Sequence, residues 1–137
     1  MSEISWRVRA FTPPEAAEIC GVSAGAVRLL LHRHAKVGLG ERRRGRRRLS
    51  ARDIATLRVA LYVNRAMPMA EALPAAAQHL ERLPSAAAFL VAEGGKTFTA
   101  DAETAGRWAV ERGAVVVPFG RIAHDILAMC SAPEGAA

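Results

Sequence analysis

The stretch that decides the fold is Thr12-Pro13-Pro14-Glu15-Ala16-Ala17-Glu18-Ile19-Cys20-Gly21-Val22-Ser23. Thr12 followed three residues later by Glu15 is a capping box, and Pro13 suits the first helical position. The helix so opened runs through Ala16, Ala17, Ile19 and Cys20 and stops at Gly21. Ser23 caps a second helix, about Ala24 to His34, with Val27, Leu30 and Leu31 at three- and four-residue spacing. Two helices joined by so tight a turn cross steeply. They need a small residue at the crossing, a glycine at the turn and apolar residues behind. Ala17 and Gly21 supply the first two; Ala16, Cys20, Val22, Val27 and Leu30 supply the rest. The pattern is that of a helix-turn-helix, which leaves Ser23, Ala24, Gly25, Arg28 and His32, with Arg33 beside it, facing outward.

After Gly38-Leu39-Gly40 comes Glu41-Arg42-Arg43-Arg44-Gly45-Arg46-Arg47-Arg48, six arginines in seven positions around a central glycine. A glycine at that point suits a hairpin turn. Such a hairpin is a wing, whose arginines can straddle phosphates beside the groove a recognition helix enters. The expected phosphate contacts are Arg43, Arg44, Arg46, Arg47 and Arg48. An unstructured basic arm or a charged linker is the rival reading. Ser50 and Asp53 form a second capping box, opening a helix with Ile54, Leu57, Leu61 and Tyr62 on one face. A further helix starts at Pro68 or Met69, is kinked or broken at Pro74, and continues through Leu80 and Leu83.

These residues resemble the MerR-type winged helix-turn-helix family. The likeness rests on Phe11 to Ser23, on Val27-Arg28, and on Gly45-Arg46-Arg47-Arg48-Leu49-Ser50-Ala51-Arg52-Asp53-Ile54 with Leu57, and covers about residues 8–80. It implies double-stranded DNA as the partner, with backbone contacts from Arg28 and Arg47. Leu29-Leu30-Leu31 stand where the family usually has two tyrosines and a glutamate, and Arg46 replaces the wing's usual tyrosine. The family's long dimerising helix has no counterpart, so DNA binding carries over and effector sensing does not.

Beyond Pro84-Ser85 the pattern changes. Ala88 to Ala92, a Gly94-Gly95 turn and Lys96 to Thr99 read as a β-hairpin. Asp101 to Arg112 is a helix closed by Gly113, Ala114 to Val117 a strand, and Arg121 to Cys130 a short helix. Ser131 to Ala137 reads as a frayed tail. The expected fold is α+β: a winged helix-turn-helix domain over 1–83 and a small α/β module over 84–137. Three strands with two short helices leave one sheet face bare. From this we expect a homodimer through residues 84–130. The rival is a monomer whose sheet closes on the helix at 69–83.

Composition agrees with this division. The chain has 137 residues, 51% hydrophobic, with a net charge of +6. Residues 1–68 hold 14 basic and 5 acidic side chains, whereas residues 69–137 are net −3. A basic half beside an acidic half suggests that one half meets a polyanion. No apolar run reaches membrane-spanning length and no signal-peptide layout opens the chain, so a cytoplasmic, nucleoid-associated protein with no membrane partner is expected. Two cysteines make neither a disulfide framework nor a cysteine-based zinc site. His124 and Asp125 point apart on a helix, and Glu93-Gly94-Gly95-Lys96-Thr97 leads into a strand, unlike a phosphate loop. Neither enzymatic activity nor a cofactor is expected. The reading is a bacterial or phage transcriptional regulator that binds specific double-stranded DNA. The alternatives are an architectural, excisionase-type or packaging protein, and an adaptor for an acidic protein.

Overall fold

The computed structural model describes residues 3–131; the expected frayed tail, apart from Ser131, lies outside them. Among the described residues, seven α-helices and two antiparallel sheets make a mixed α+β fold. The order is α1 (Glu3–Arg7), α2 (Pro13–Cys20), α3 (Ala24–Arg33), β1 (Glu41–Arg43), β2 (Arg46–Arg48), α4 (Ala51–Val63) and α5 (Met69–His79). Then follow β3 (Phe89–Glu93), β4 (Lys96–Ala100), α6 (Ala102–Arg112), β5 (Val115–Val117) and α7 (Phe119–Ser131). A short 3-10 turn, Ala35–Val37, links α3 to the first hairpin.

Local chemistry sets most helix ends. Thr12 and Ser50 both form complete capping boxes, with Glu15 and Asp53. Ser23 and Asp101 accept from backbone N–H groups at the starts of α3 and α6. Gly21 and Gly113 end α2 and α6 with φ of 79° and 65°, values that a side chain would strain. Pro74 sits inside α5 without breaking it, but the helix ends at His79 instead of running on to Leu83.

The core is organised around α4. Ala51, Asp53, Ile54, Ala55, Thr56, Leu57, Val59, Ala60 and Val63 are all buried, so α4 is enclosed on nearly every side. It packs against α1, α2, α5, α7 and β5. The sequence reading assigned it a single apolar face, and two members of that face, Leu61 and Tyr62, are only partly buried. The alanines explain the difference: a helix with small residues around its girth admits neighbours on several sides. One buried cluster runs from Trp6 through α4 to Leu127 and draws on both sides of residue 84.

The second sheet has the order β4-β3-β5. Its central strand alternates between two covered faces. Leu90 and Ala92 join the main core, on which α7 lays Phe119, Ala123, Ile126 and Leu127. Val91 is also fully buried, on the face that α6 covers with Ala105. The bare sheet face expected from the sequence does not exist, because helices lie on both sides. α7 is longer than expected: Pro118 accepts from Ile122 N–H (3.0 Å), so the helix opens at Phe119 instead of Arg121. Gly120 allows its close approach, since a Cβ there would lie 1.9 Å from the Ser85 carbonyl oxygen.

Candidate nucleic-acid interface

Helices α2 and α3 form the expected helical hairpin. Ala16, Ala17, Cys20 and Val27 are buried at the crossing, with Val22 and Leu30 partly so. Ala17 O receives both Gly21 N–H (2.8 Å) and Val22 N–H (3.0 Å), which satisfies the end of α2. Arg58, on α4, donates to Cys20 O and ties the turn to the central helix. Burial pushes the Cys20 thiol up to about 11, which makes it an inert core group.

On α3, Ser23, Gly25, Arg28, His32 and Arg33 are exposed. Ala24 is not: it is half-buried and packs against the core. The expectation that Ala24 lies open on the outer surface is therefore corrected.

The arginine run is a hairpin and not an arm. β1 and β2 pair with Glu41 opposite Arg48, Arg42 opposite Arg47 and Arg43 opposite Arg46. Arg44 and Gly45 form the two-residue turn with φ of 52° and 78°, both positive as a type I′ turn requires. The wing's root is pinned by Leu49, whose N–H donates to Phe11 O (2.7 Å) while its carbonyl accepts from Ala10 and Phe11. A second tie is Arg9, which donates to the fully buried Asp53 carboxylate (3.1 Å) and to Gly38 O (2.9 Å). Asp53 also accepts from Ser50 N–H (2.8 Å), so one carboxylate joins the N-terminal segment, the wing root and the cap of α4.

Strand alternation sorts the wing arginines onto two faces. Arg42 and Arg47, directly opposite each other, face α3. With Pro13, Arg28, Leu31, His32 and Gly45 they line a cleft of about 320 Å³. Arg43 takes the other face and lines a separate polar recess with Arg7, Arg9, Glu41, Ser50 and Arg52. Arg46 and Arg48 share Arg43's side by register, and Arg44 sits at the tip. The structure thus unites Arg28, His32 and Arg47, separates Arg43, Arg46 and Arg48 from them, and adds Arg42. The sequence reading passed over Arg42; pairing outward from Gly45 matches it with Arg47.

Several cations without an ion pair among the described residues lie at this cleft and at the wing tip. Arg28, Arg33, Arg42, Arg44 and Arg46 make no ion pair among the described residues. By contrast Arg52 closes the end of α5 by donating to Leu80 O (3.0 Å) and Ala77 O (2.9 Å). Arg47 holds Leu39 O (3.3 Å) with one nitrogen, which fixes its stem and leaves other donors for a ligand. Guanidinium donors on both walls of a cleft, backed by a fixed scaffold, suit the oxygens of a polyanion. Among the described residues no group of three or more histidines, cysteines, aspartates or glutamates is placed to hold a metal ion. No described helix is long and apolar enough to cross a membrane. No known protein family, characterised protein or solved structure matches the chain.

Proposed function

We propose that the chain is a transcriptional regulator that binds specific double-stranded DNA through α3 and the β1–β2 wing. The observation that carries this reading is the cleft in which Arg28 of α3 faces Arg42 and Arg47 of the wing. A helix that exposes its Ser23 cap, Gly25, Arg28 and His32 suits entry into a major groove. Gly25 leaves room for a base edge, and Arg28 reaches one with a bidentate fork suited to guanine. The wing lies beside the helix with its carbonyl anchors already satisfied, so its guanidinium groups meet the neighbouring phosphates. The chain's basic side chains are concentrated in the half that holds both elements.

Selection of bound sites from random duplexes, followed by footprinting, tests the reading. A regulator yields one short protected site. Protection of tandem repeats would move the protein to an architectural role, and no protection would point to an acidic protein partner. On the selected site Arg28→Ala costs about 1–3 kcal/mol, with a far smaller loss on random DNA. Equal losses on both would make Arg28 a backbone contact.

A further inference from the structure

The β3–β4 hairpin closes on a two-residue loop, Gly94-Gly95, with Glu93 opposite Lys96. A loop of that length makes the closing pair a hydrogen-bonded one, and such pairs alternate along the ladder. Val91–Phe98 and Phe89–Ala100 are then hydrogen-bonded as well. The backbone groups of Thr97 and Thr99 therefore point away from β3, along the outer edge of the sheet. The central strand agrees, since its even-numbered residues serve the other side: Ala88 O accepts from Gly120 N–H (3.1 Å), next to β5. Among the described residues, no backbone group outside the sheet bonds to β4. β5 is a poorer edge, because its three residues leave only Val116 directed outward.

Edge strands are usually guarded by charge, proline or a bulge. β4, Lys96-Thr97-Phe98-Thr99-Ala100, has one charge, at its first residue, and neither of the other devices. Beside it is a recess of about 500 Å³ lined by Glu93, Gly94, Lys96, Phe98, Trp108 and Arg112. Phe98 meets Trp108 edge-on at 4.9 Å, and Arg112 stacks over Trp108 at 4.5 Å. Both aromatic rings remain partly exposed.

We infer that β4 pairs with β4 of a second copy, antiparallel about a two-fold axis at Phe98, to make one continuous six-stranded sheet. The strand is self-complementary in this register. Thr97 of each copy faces Thr99 of the other as a hydrogen-bonded pair, which uses the outward backbone groups. Phe98 faces its own counterpart as a non-hydrogen-bonded pair, the closer of the two pair types. Charge agrees too: Lys96 lies at one end of the strand and Asp101 just beyond the other, so antiparallel pairing sets cation beside anion at both ends. The Phe98–Trp108 patches of the two copies then cover each other. The inference makes no use of DNA binding and is tested without DNA.

The full chain is examined by sedimentation from low to high micromolar concentration, where a reversible dimer is expected. In Phe98→Cys, mild oxidation should give a covalent dimer joined through position 98. A non-hydrogen-bonded pair holds its Cα atoms about 4.5 Å apart, inside the disulfide range. The native thiols interfere little, since burial raises Cys20 and Cys130 to about 11. Thr99→Pro removes an N–H that serves only the outer edge, so the fold should persist by circular dichroism while the dimer is lost. A chain that stays monomeric at high micromolar concentration overturns the inference. So does a dimer that survives Thr99→Pro, or one that fails to cross-link at position 98.

Discussion

Two hairpins in this chain are built on the same plan and differ sharply in burial. Both turn through two residues: Arg44-Gly45 in the first, Gly94-Gly95 in the second. The first has three-residue strands of almost pure arginine and stands off the body, mostly exposed. The second has a central strand buried on both faces at Leu90, Val91 and Ala92. Turn chemistry makes the hairpin; strand composition decides whether its strands can be buried. A run of like charges cannot bury its strands, so what holds the wing in place is its root, through Leu49, Arg9 and Asp53.

The second hairpin is held between α6 and α7, so a clash under α7 should unfold the whole chain. Gly120→Val should be the most damaging change, because even a Cβ overlaps the Ser85 carbonyl on which α7 rests. A loss of about 3 kcal/mol or more is expected in denaturant unfolding, with no clean separation of a folded N-terminal part. An unaffected midpoint would mean that α7 does not press on the 85–88 segment.

The opposite result is expected at the wing. Replacing the exposed Arg42, Arg44 and Arg46 together with alanine should leave stability within about 0.5 kcal/mol, as for surface changes generally. DNA affinity should fall on all sequences, and the slope of log affinity against log salt should flatten by about 2.7 per protomer. An unchanged slope in a folded variant would take the wing out of the interface.

The matched turn glycines sharpen the contrast at smaller scale. Gly45 and Gly94 have φ of 78° and 60°, and a Cβ at either meets open space. Alanine at either therefore costs only backbone strain, about 1 kcal/mol. At Gly94 the cost should appear in global unfolding; at Gly45 it should appear as faster amide exchange in the wing with no shift in the midpoint.

A last and smaller effect lies where α5 meets the second sheet. His79 stands between Thr97 (2.9 Å) and Thr99 (3.4 Å) and meets Phe119 edge-on. Glu81 and Arg82 line the same recess. Burial lowers its pKa below the ordinary 6.5. The folded state thus binds this proton less readily than the unfolded state, so stability falls as pH drops below about 6.5 and is fully present above it. His79→Gln should remove part of that slope between about pH 7 and 5. An identical slope in the variant would assign the effect elsewhere.

What was legible in the sequence was local. The two capping boxes, the glycine stops of α2 and α6 and both hairpin turns depend on residues within about four positions of each other. What was missed depends on distance. Trp6 is fully buried and donates to Leu80 O (3.2 Å), 74 residues away, and no periodicity around Trp6 announces that partner. Asp53 shows as a helix cap, but Arg9, which shares its charge, lies 44 residues earlier. The covered sheet faces went unread because sequence spacing places α6 and α7 beside the strands without showing that they take opposite faces, with α4 behind. At the candidate interface, residue type pointed to the wing, and only strand register divides its arginines between two faces.

The burial of α4 by elements from both ends bears on the order of synthesis. Its cover includes Trp6, made before it, and α7, the last described helix. A chain emerging from the ribosome displays the arginine hairpin long before Phe119 and Leu127 arrive to complete the core. During that interval the nascent chain carries its positive charge on an open, apolar platform, next to abundant RNA. The basic hairpin is thus open to polyanions before the core beneath it can close.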